Sequence, residues 1–378
     1  MGPGLRLGLV AGEASGDLIG SLLLQSLQQR GALSGAMGIG GPRMQALGFE
    51  AWWPSERLSV FGFTDALKRL PELLWIRRRL GTRLLRERLD AFVGIDAPDF
   101  NFGLERRLRQ AGVKTVHYVC PSIWAWRPER VETIRRAADH VLCLFPFEPA
   151  LLQAAGIAAS FVGHPLAEVI PIEPDRAAAR GRLGLAEERR VLALLPGSRA
   201  SEIDLIAPAV LGAAQRLQNS DPGLQLVLPC APGMSSRLQP LIPAGLANLQ
   251  VLEGQAHDAL AACDVAIVAS GTATLEAALF KRPMVIAYRV SPANHRRMKK
   301  LQLQPWVGLP NVLAREFLVP ECLQDACTPE TLAREVQAWF DHPARVATTV
   351  TRFHEIHDAL RADTAQRTHD AIAQLTRR

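Results

Sequence analysis

The chain has 378 residues, of which 48% are hydrophobic and 21% are charged, as in ordinary globular proteins. At about 150 residues per domain, this length predicts two domains. The 43 lysines and arginines only slightly exceed the 37 aspartates and glutamates, which is not the charge profile of a nucleic-acid-binding protein. No apolar run approaches the ~20 residues of a membrane-spanning helix and no signal peptide is apparent, so the sequence predicts a cytoplasmic protein whose membrane contact is peripheral.

Short apolar runs alternate with amphipathic stretches along the chain, which is typical of buried parallel strands in βαβ units. The first series of predicted strands comprises residues 5–11, 91–95, 114–119 and 140–145, and its first predicted helix spans 17–30. After a proline-containing linker at 170–174, a second series comprises residues 190–195, 224–228, 249–252, 265–269 and 284–288. The sequence therefore predicts an α/β protein with two doubly wound Rossmann-like domains facing a shared cleft, at 1–168 and 169–342. A polar, amphipathic helical tail is predicted for 343–378.

Six cysteines are scattered without a Cys-x-x-Cys pair, and we predict buried free thiols and no zinc site. The sequence also lacks Asp-x-Asp and any cluster of His, Asp and Glu with metal-ligand spacing, so no metal and no cofactor is expected. His354 and His357 in the predicted tail are interpreted as part of a solvated helix face.

Two glycines flank acidic and hydroxyl side chains directly after the first predicted strand, at residues 11–17. Glycine permits close backbone approach, and a helix N-terminus favours an anion or polar ligand, so Glu13 and Ser15 are candidate site residues. The alternative is an ordinary helix start, in which Ser15 is the N-cap and Asp17 complements the helix dipole. The turn lacks the Gly-x-Gly-x-x-Gly pattern of dinucleotide-binding proteins, which disfavours a hydride-transfer enzyme.

Asp96 ends the apolar run at 91–95, and its carboxylate is expected to project into the cleft as a candidate general base. The alternative is that Asp96 and Asp99 cap the following helix. Asp99 suits that role, whereas Asp96 lies too early in the chain for it.

The turn of Gly197, Ser198 and Arg199 opens the second series between a predicted strand and helix, and it predicts a phosphate cradle. The alternative is an arginine on a surface turn.

A second turn of small residues, at 270–276, exposes backbone N–H groups of Gly271 and Thr272 to a diphosphate. Glu276 follows within about one helical turn and is a candidate partner of ribose hydroxyls. Two such turns in one domain are typical of a nucleotide diphosphate site.

A basic amphipathic segment spans residues 67–88. Its apolar set comprises Leu67, Leu70, Leu74, Trp75 and Ile76, and its cationic set comprises Lys68, Arg69, Arg77, Arg78 and Arg79. Such a segment indicates contact with an anionic membrane surface. The alternative is a packed helix whose arginines extend to solvent, and Pro71 predicts that the helix begins there.

Together, these segments resemble the lipid-A-disaccharide synthase family. The matching stretches, in family order, are 10–17, 41–45, 94–101, 117–119, 121–127, 163–164, 194–199, 270–276 and 309–311. The set spans nearly the whole chain and is specific as an ordered set, although each stretch alone is weak. One departure is Cys120, where the family usually has serine.

The resemblance implies a GT-B fold and an inverting, metal-independent glycosyltransferase. The implied reaction moves 2,3-diacylglucosamine from UDP-2,3-diacylglucosamine to 2,3-diacylglucosamine 1-phosphate (lipid X), giving a β-1,6-linked disaccharide phosphate and UDP. The implied roles are a general base for Asp96 and a second catalytic candidate in Glu13, with Glu13 and Ser15 lining the cleft near the sugar. Ser15 and Arg199 are implied to bind the UDP diphosphate, Glu276 the ribose and Asn311 the nucleotide side. The resemblance also implies work at the inner face of the cytoplasmic membrane, and a homodimer with exchanged C-terminal segments.

Two other functions remain compatible with the same fold. A UDP-N-acetylglucosamine 2-epimerase or another UDP-sugar transferase would have the same architecture, although the basic Trp-bearing segment favours an acylated substrate. A lipid carrier or scaffold would use the basic segment but would need neither Asp96 nor Arg199. Release of UDP from an acylated donor distinguishes the three.

Overall fold

The computed structural model of the chain describes residues 4–58 and 63–376, with the side chains of residues 14, 56 and 63–68 left out. The chain forms two compact units. Unit 1 comprises Met1–Glu168 and Ala359–Arg378, and unit 2 comprises Val169–Asp358. The predicted tail at 343–378 is thus divided between the two units.

Unit 1 contains a parallel sheet of seven strands with helices between consecutive strands. The strands are β1 (Leu5–Ala11), β2 (Leu33–Gly40), β3 (Glu50–Pro54), β4 (Ala91–Ile95), β5 (Lys114–Tyr118), β6 (His140–Cys143) and β7 (Ala159–Phe161). The helices are α1 (Ala14–Gln29), α2 (Pro42–Gln45), α3 (Phe63–Leu84), α4 (Pro98–Gln110), α5 (Arg130–Ala137), α6 (Glu148–Ala154) and, at the boundary, α7 (Pro165–Val169). The strand order β3-β2-β1-β4-β5-β6-β7 reverses direction between β1 and β4, which makes this pair the topological switch point of the sheet.

Both faces of this sheet are covered by apolar side chains. Leu9 packs in the core on one face, whereas its neighbour Val10 packs in the core on the other. All five residues of β4 are likewise buried. This two-sided burial explains why the strands appear as continuous apolar runs in the sequence.

Unit 2 repeats the architecture with six parallel strands. They are β8 (Val191–Leu195), β9 (Gln225–Cys230), β10 (Leu249–Glu253), β11 (Val265–Ala269), β12 (Met284–Tyr288) and β13 (Glu321–Leu323). The helices are α8 (Arg176–Leu183), α9 (Ala200–Ser220), α10 (Ser235–Leu238), α11 (Ala256–Ala262), α12 (Thr272–Leu279), α13 (Pro292–Leu301), α14 (Leu309–Ala314), α15 (Pro329–Asp341) and α16 (Pro343–Leu360). The order β10-β9-β8-β11-β12-β13 places the switch point between β8 and β11. The predicted α/β fold of two doubly wound sheets is confirmed.

The C-terminal segment is two helices rather than one. After α16 the chain turns at Asp363, whose φ is 49°, and α17 (Thr364–Thr376) returns to unit 1. There Ile372 is fully buried in the core, and Thr368 Oγ1 lies 3.2 Å from the hydroxyl of Tyr118. His357 of α16 is also fully buried, with Nδ1 2.5 Å from Nζ of Lys281, so the prediction of a solvated face is wrong for His357.

Two sequence-wide expectations can be compared with this fold. All six cysteines are buried, as predicted. Among the described residues, no helix is long and apolar enough to cross a membrane.

Candidate functional site

The first candidate site lies at the switch point of unit 1, where β1 and β4 end side by side. Ala11 pairs with Ile95, so the next residues, Gly12 and Asp96, leave the sheet at the same edge. A Cβ placed on Gly12 would lie 3.5 Å from Cβ of Ala97, which shows how closely the two turns approach. The sequence predicted both turns, and the fold brings them together.

Asp96 has an unusual backbone that fixed hydrogen bonds maintain. Asp96 and Ala97 both have positive φ, 51° and 43°, in the left-handed region that costs a non-glycine residue about 1 kcal/mol or more. The Asp96 N–H donates to the carbonyl of Tyr118 at 2.8 Å, and the Asn101 amide donates to the Asp96 carbonyl at 2.8 Å. Within the described part of the chain, the Asp96 carboxylate makes no hydrogen bond or ion pair, and the residue is half-buried. This geometry presents a carboxylate at the strand end without committing it to a structural partner.

A buried contact between a glutamate and a histidine lies behind this turn, and sequence reasoning did not find it. Glu105 Oε1 and His117 Nδ1 are 2.7 Å apart and both side chains are fully buried. Burial raises the pKa of the Glu105 carboxyl. Gly94 leaves room for this pair, since a Cβ there would overlap Glu105 Oε1. His117 stands in one of the family-like stretches, and a histidine within an apolar strand was the signal that could have found the pair.

The side chains of Glu13, Ser15 and Asp17, which follow β1, do not cap the N-terminus of α1. Glu13 is the N-cap residue of α1, but its exposed side chain does not cap the helix, and Ser15 lies exposed within the first turn. The interpretation of Ser15 as the N-cap is therefore wrong. Asp17 is buried and accepts hydrogen bonds from the N–H groups of Gly41 (2.9 Å), Arg43 (3.0 Å) and Met44 (3.1 Å). Asp17 thus caps α2, and the side chains of Glu13 and Ser15 face solvent at the strand edge.

In unit 2, the turn after β8 binds a carboxylate of the same chain, that of Glu202. Gly197 has φ 122°, and a Cβ there would lie 2.5 Å from Cβ of Glu202. The Glu202 carboxylate accepts the N–H groups of Ser198 (3.0 Å) and Arg199 (3.3 Å), and also Nη1 of Arg199 (3.0 Å). The Arg199 side chain is 55% exposed. The turn therefore has the donors of a phosphate cradle, and a carboxylate already occupies some of them.

The second turn of unit 2 follows β11, next to β8 in the sheet. Gly271 has φ 148° and is the N-cap residue of α12, without a side-chain cap. Thr274 donates to the Gly271 carbonyl at 2.8 Å and accepts the N–H of Leu309 at 3.3 Å, which fixes the turn against α14. Thr272 begins the helix and is exposed. The two turns that the sequence predicted as anion-binding thus lie next to each other at the switch point of unit 2.

Glu276 and Asn311 have contrasting environments. Glu276 is 20% exposed, with one carboxylate oxygen 3.9 Å from Nε2 of His257, a neighbour that the sequence did not suggest. Asn311 is fully buried. Its Nδ2 donates to the Val319 carbonyl and to the Glu321 carboxylate, and its Oδ1 accepts the Val319 N–H, each at 2.9 Å. This is the geometry of a residue that holds a loop, and a role of Asn311 on the nucleotide side stays a prediction.

Residues 67–84 of the basic segment belong to one helix, α3, which continues through Pro71, so the predicted start at Pro71 is wrong. Its outer face exposes Leu70, Leu74 and Trp75, with the Arg79 guanidinium 4.6 Å from the Trp75 ring. Ile76 is buried, so it does not belong to the exposed apolar set.

The three consecutive arginines of α3 differ. Arg78 and Arg79 are exposed, whereas Arg77 turns towards α4 and donates to the Asp99 carbonyl at 3.4 Å. The side chains of Leu67 and Lys68, predicted as part of the same surface, lie outside the described residues.

A buried group of Cys120, Cys143 and Glu148 was also missed. The two thiols and the carboxylate lie within 4.8 Å of one another because β5 and β6 are neighbours in the sheet. The Glu148 oxygens accept Nε1 of Trp124 and the N–H of Phe145, each at 3.0 Å. Burial raises the pKa of Glu148 to about 7.

Comparison with known proteins gives consistent results. A family model described as lipid-A-disaccharide synthetase matches residues 7–375. The lipid-A-disaccharide synthase of Verminephrobacter eiseniae is 56% identical over 375 residues, covering 97% of this chain and 96% of that protein. The lipid-A-disaccharide synthase of Burkholderia thailandensis is 52% identical over 374 residues, covering 98% and 96%.

Solved structures with the same fold are much more distant in sequence. The UDP-GlcNAc 2-epimerase of Neisseria meningitidis, bound to UDP-GlcNAc, has a TM-score of 0.67 at 10% identity, covering 98% of this chain and 99% of that one. MurG of Acinetobacter baumannii has a TM-score of 0.57 at 16% identity, covering 98% and 100%. At such low identity these structures establish likeness of fold alone.

Proposed function

Because the chain belongs to the lipid-A-disaccharide synthetase family, we propose that it joins two acylated glucosamines, with UDP-2,3-diacylglucosamine as donor and 2,3-diacylglucosamine 1-phosphate as acceptor. The enzyme is a glycosyltransferase with the GT-B architecture of two doubly wound units. The observation that supports the assignment best is that each unit has its chemistry-bearing turns at a switch point, where such sheets bind ligands.

Unit 2 binds the UDP part of the donor in this proposal. The N–H groups of Ser198, Gly271 and Thr272 surround the diphosphate, and Gly197 and Gly271 have the positive φ that these turns require. The Arg199 guanidinium exchanges its Glu202 partner for phosphate oxygens and neutralises charge as UDP leaves. Glu276 accepts hydrogen bonds from ribose hydroxyls. These groups offset the charge of the leaving diphosphate without a metal ion.

Unit 1 supplies the base and the acceptor side. Asp96 accepts the proton of the acceptor 6-hydroxyl while that oxygen bonds to C1 of the donor sugar and UDP leaves from the opposite face. This single displacement inverts C1 and needs one base, not a covalent carboxylate. Glu13 and Ser15 lie at the same sheet edge and contact the sugars.

The acylated substrates also require a membrane surface. The proposed contact with the inner leaflet of the cytoplasmic membrane is supported by the exposed Leu70, Leu74 and Trp75 of α3, together with Arg78 and Arg79. The proposed oligomer is a homodimer whose subunits exchange their C-terminal segments.

The direct test is to incubate the purified protein with both acylated substrates and to detect the products by mass spectrometry. We expect a disaccharide 1-phosphate and one UDP per disaccharide, with no product when the acceptor is omitted. Retention of the rate in EDTA supports the metal-independent mechanism. Conversion of UDP-N-acetylglucosamine to its 2-epimer, with no disaccharide formed, would replace the proposal by the epimerase reaction.

A further inference from the structure

Helix α13 carries four cations and buries none of its residues. Arg296, Arg297, Lys299 and Lys300 are all exposed, and even the apolar Met298 between them is exposed. A surface helix ordinarily packs one apolar face against its own domain. In the part of the chain that the structure describes, α13 does not, so packing within unit 2 does not explain its composition.

The four cations also lack protein partners. None of them makes a hydrogen bond or an ion pair with any described residue, although they lie at helical spacings where like charges repel. Several other exposed arginines of unit 2 have carboxylate partners: Arg182 pairs with Asp258 at 2.5 Å and Arg237 with Asp204 at 2.6 Å. A concentration of uncompensated positive charge on one helix favours an anionic partner from outside the chain.

Exposed apolar side chains also occur after the cations, with Leu303 close to them in the chain and Phe317 further along. Leu303 is 55% exposed and Phe317 is 63% exposed, and the Phe317 ring lies 6.4 Å from that of Trp306. Cations beside exposed leucine and methionine side chains are typical of a surface that inserts shallowly into a bilayer. A nucleic acid backbone would satisfy the cations but would leave Leu303 and Met298 in water, so these side chains favour lipid.

The position of α13 connects it with the proposed donor site. β12 and β11 are paired in register, Ala269 with Ala287, so the chain leaves both strands at one edge of the sheet. From β11 it enters the turn of Gly271, and from β12 it enters α13 after residues 289–291. The hydroxyl of Tyr288, at the end of β12, lies 3.8 Å from Sδ of Met298 and ties the helix to this edge.

We propose that α13, with Leu303, is a second membrane-binding surface, which holds unit 2 on an anionic bilayer beside the donor site. This inference rests on the proposed function, because it is the acyl chains of a UDP-linked donor that require unit 2 to have a lipid surface of its own. The acyl chains then stay in the bilayer while the UDP group reaches the turns after β8 and β11.

The test compares two full-length variants that lose the same four positive charges. The first carries Arg296→Gln, Arg297→Gln, Lys299→Gln and Lys300→Gln. The control carries Arg182→Gln, Arg216→Gln, Arg237→Gln and Arg334→Gln, whose arginines are exposed but paired with carboxylates. Binding is measured by flotation with vesicles containing phosphatidylglycerol, at low and high salt, and UDP binding is measured by calorimetry.

For the α13 variant we expect vesicle affinity at low salt to fall at least about tenfold, because each cation near an anionic surface contributes about fivefold. Wild-type affinity should fall with added salt, and the control should bind nearly as well as wild type. In addition, Leu303→Ser should reduce the binding that remains at high salt. UDP affinity should be unchanged in all variants.

Three results would overturn the inference: wild-type vesicle affinity in the α13 variant, an equal loss in the control, or loss of RNA binding with vesicle binding intact. Failure of the proposed function has a different signature, since the wild type would then fail to bind UDP or to form disaccharide whatever its vesicle affinity. Because α13 buries no residue, an unchanged melting temperature is expected and excludes misfolding as the cause.

Discussion

At the scale of single residues, the turn at Asp96 shows how a strained backbone is maintained. Two consecutive left-handed residues persist because Tyr118 and Asn101 hold the Asp96 backbone from two sides. Neither bond uses the Asp96 carboxylate, which is therefore available for chemistry.

We expect Asp96→Asn to reduce turnover by roughly 10²–10⁴-fold, the usual effect of losing a general base. Asparagine tolerates the left-handed conformation, so the fold and UDP binding should persist. Steady-state rates and UDP calorimetry measure the two effects. The matched control is Asp99→Asn, an exposed carboxylate paired with Arg130, which should leave the rate close to normal. Near-normal turnover of Asp96→Asn would move the role of base to Glu13.

Arg199→Ala should weaken UDP binding by about 1.5–3 kcal/mol, the range for hydrogen bonds to a charged group, and should reduce turnover even with excess magnesium. Arg182→Ala serves as the control, because it removes an exposed arginine with a carboxylate partner in the same unit. Calorimetry with UDP measures the loss. Restoration of Arg199→Ala by a divalent ion would contradict a metal-independent mechanism.

Glu148 predicts a pH dependence of stability. Burial raises the pKa of its carboxyl in the folded state to about 7, from an unfolded value near 4.5. Between these two pH values the carboxyl ionises in the unfolded state but stays protonated in the folded state, so the folded protein loses stability as the pH rises. We expect Glu148→Gln to gain stability relative to wild type between pH 5 and pH 8, by up to about 3 kcal/mol.

Paired melting curves across this pH range measure the difference, and the comparison cancels the opposite effect of buried His164, whose pKa is lowered to about 4 by burial. A constant difference between Glu148→Gln and wild type from pH 5 to pH 8 would show that Glu148 ionises normally.

At the scale of elements, α3 separates its packing face from its proposed membrane face. Ile76, Leu80 and Leu84 are buried, whereas Leu70, Leu74 and Trp75 point outward. Features of both sequence-based interpretations are therefore present in α3: one face packs in the core, and the other has an exposed apolar patch with arginines.

Arg78→Glu with Arg79→Glu should weaken binding to anionic vesicles at low salt, because one of the two proposed membrane surfaces is lost. UDP binding should persist, because the UDP site is assigned to unit 2. The control is Arg135→Glu with Arg136→Glu, an equal charge change on the exposed face of α5. Flotation assays compare the two variants with wild type. If the α3 variant still floats like wild type, α3 is not a membrane surface.

At the scale of the whole molecule, unit 1 is completed by the end of the chain. α17 packs on α1, and its Ile372 lies in the same core as Leu23 and Leu27. The helix that follows the candidate turn after β1 is thus supported by residues more than three hundred positions away in the sequence.

Ile372→Ala should destabilise unit 1 by about 2–5 kcal/mol through loss of buried apolar volume. Gln374→Ala, an exposed position on the same helix, should have little effect. Thermal unfolding measures stability, and sedimentation tests the homodimer. If α17 is exchanged between subunits, Ile372→Ala should also weaken the dimer, whereas a wild type that stays monomeric at all concentrations would contradict the exchange.

The sequence by itself determined the two series of βα units, the turns at Glu13, Asp96, Arg199 and Gly271, and the resemblance to the family. These features are local: apolar runs report buried strands, and a motif is a short stretch at the end of one strand. The ordered spacing of such stretches could therefore be recognised without knowledge of which strands are neighbours.

Only the tertiary structure decided which groups meet. β2 escaped prediction because its glycines interrupt the apolar pattern, and Gly38 is needed there since a Cβ would overlap the Leu9 carbonyl. Asp17 caps α2, Asn311 holds a loop, α17 returns to unit 1, and α13 keeps its cations unpaired in the described structure. The capping of α2 by Asp17 and the return of α17 to unit 1 depend on contacts between residues far apart in the chain, which local periodicity and spacing do not encode.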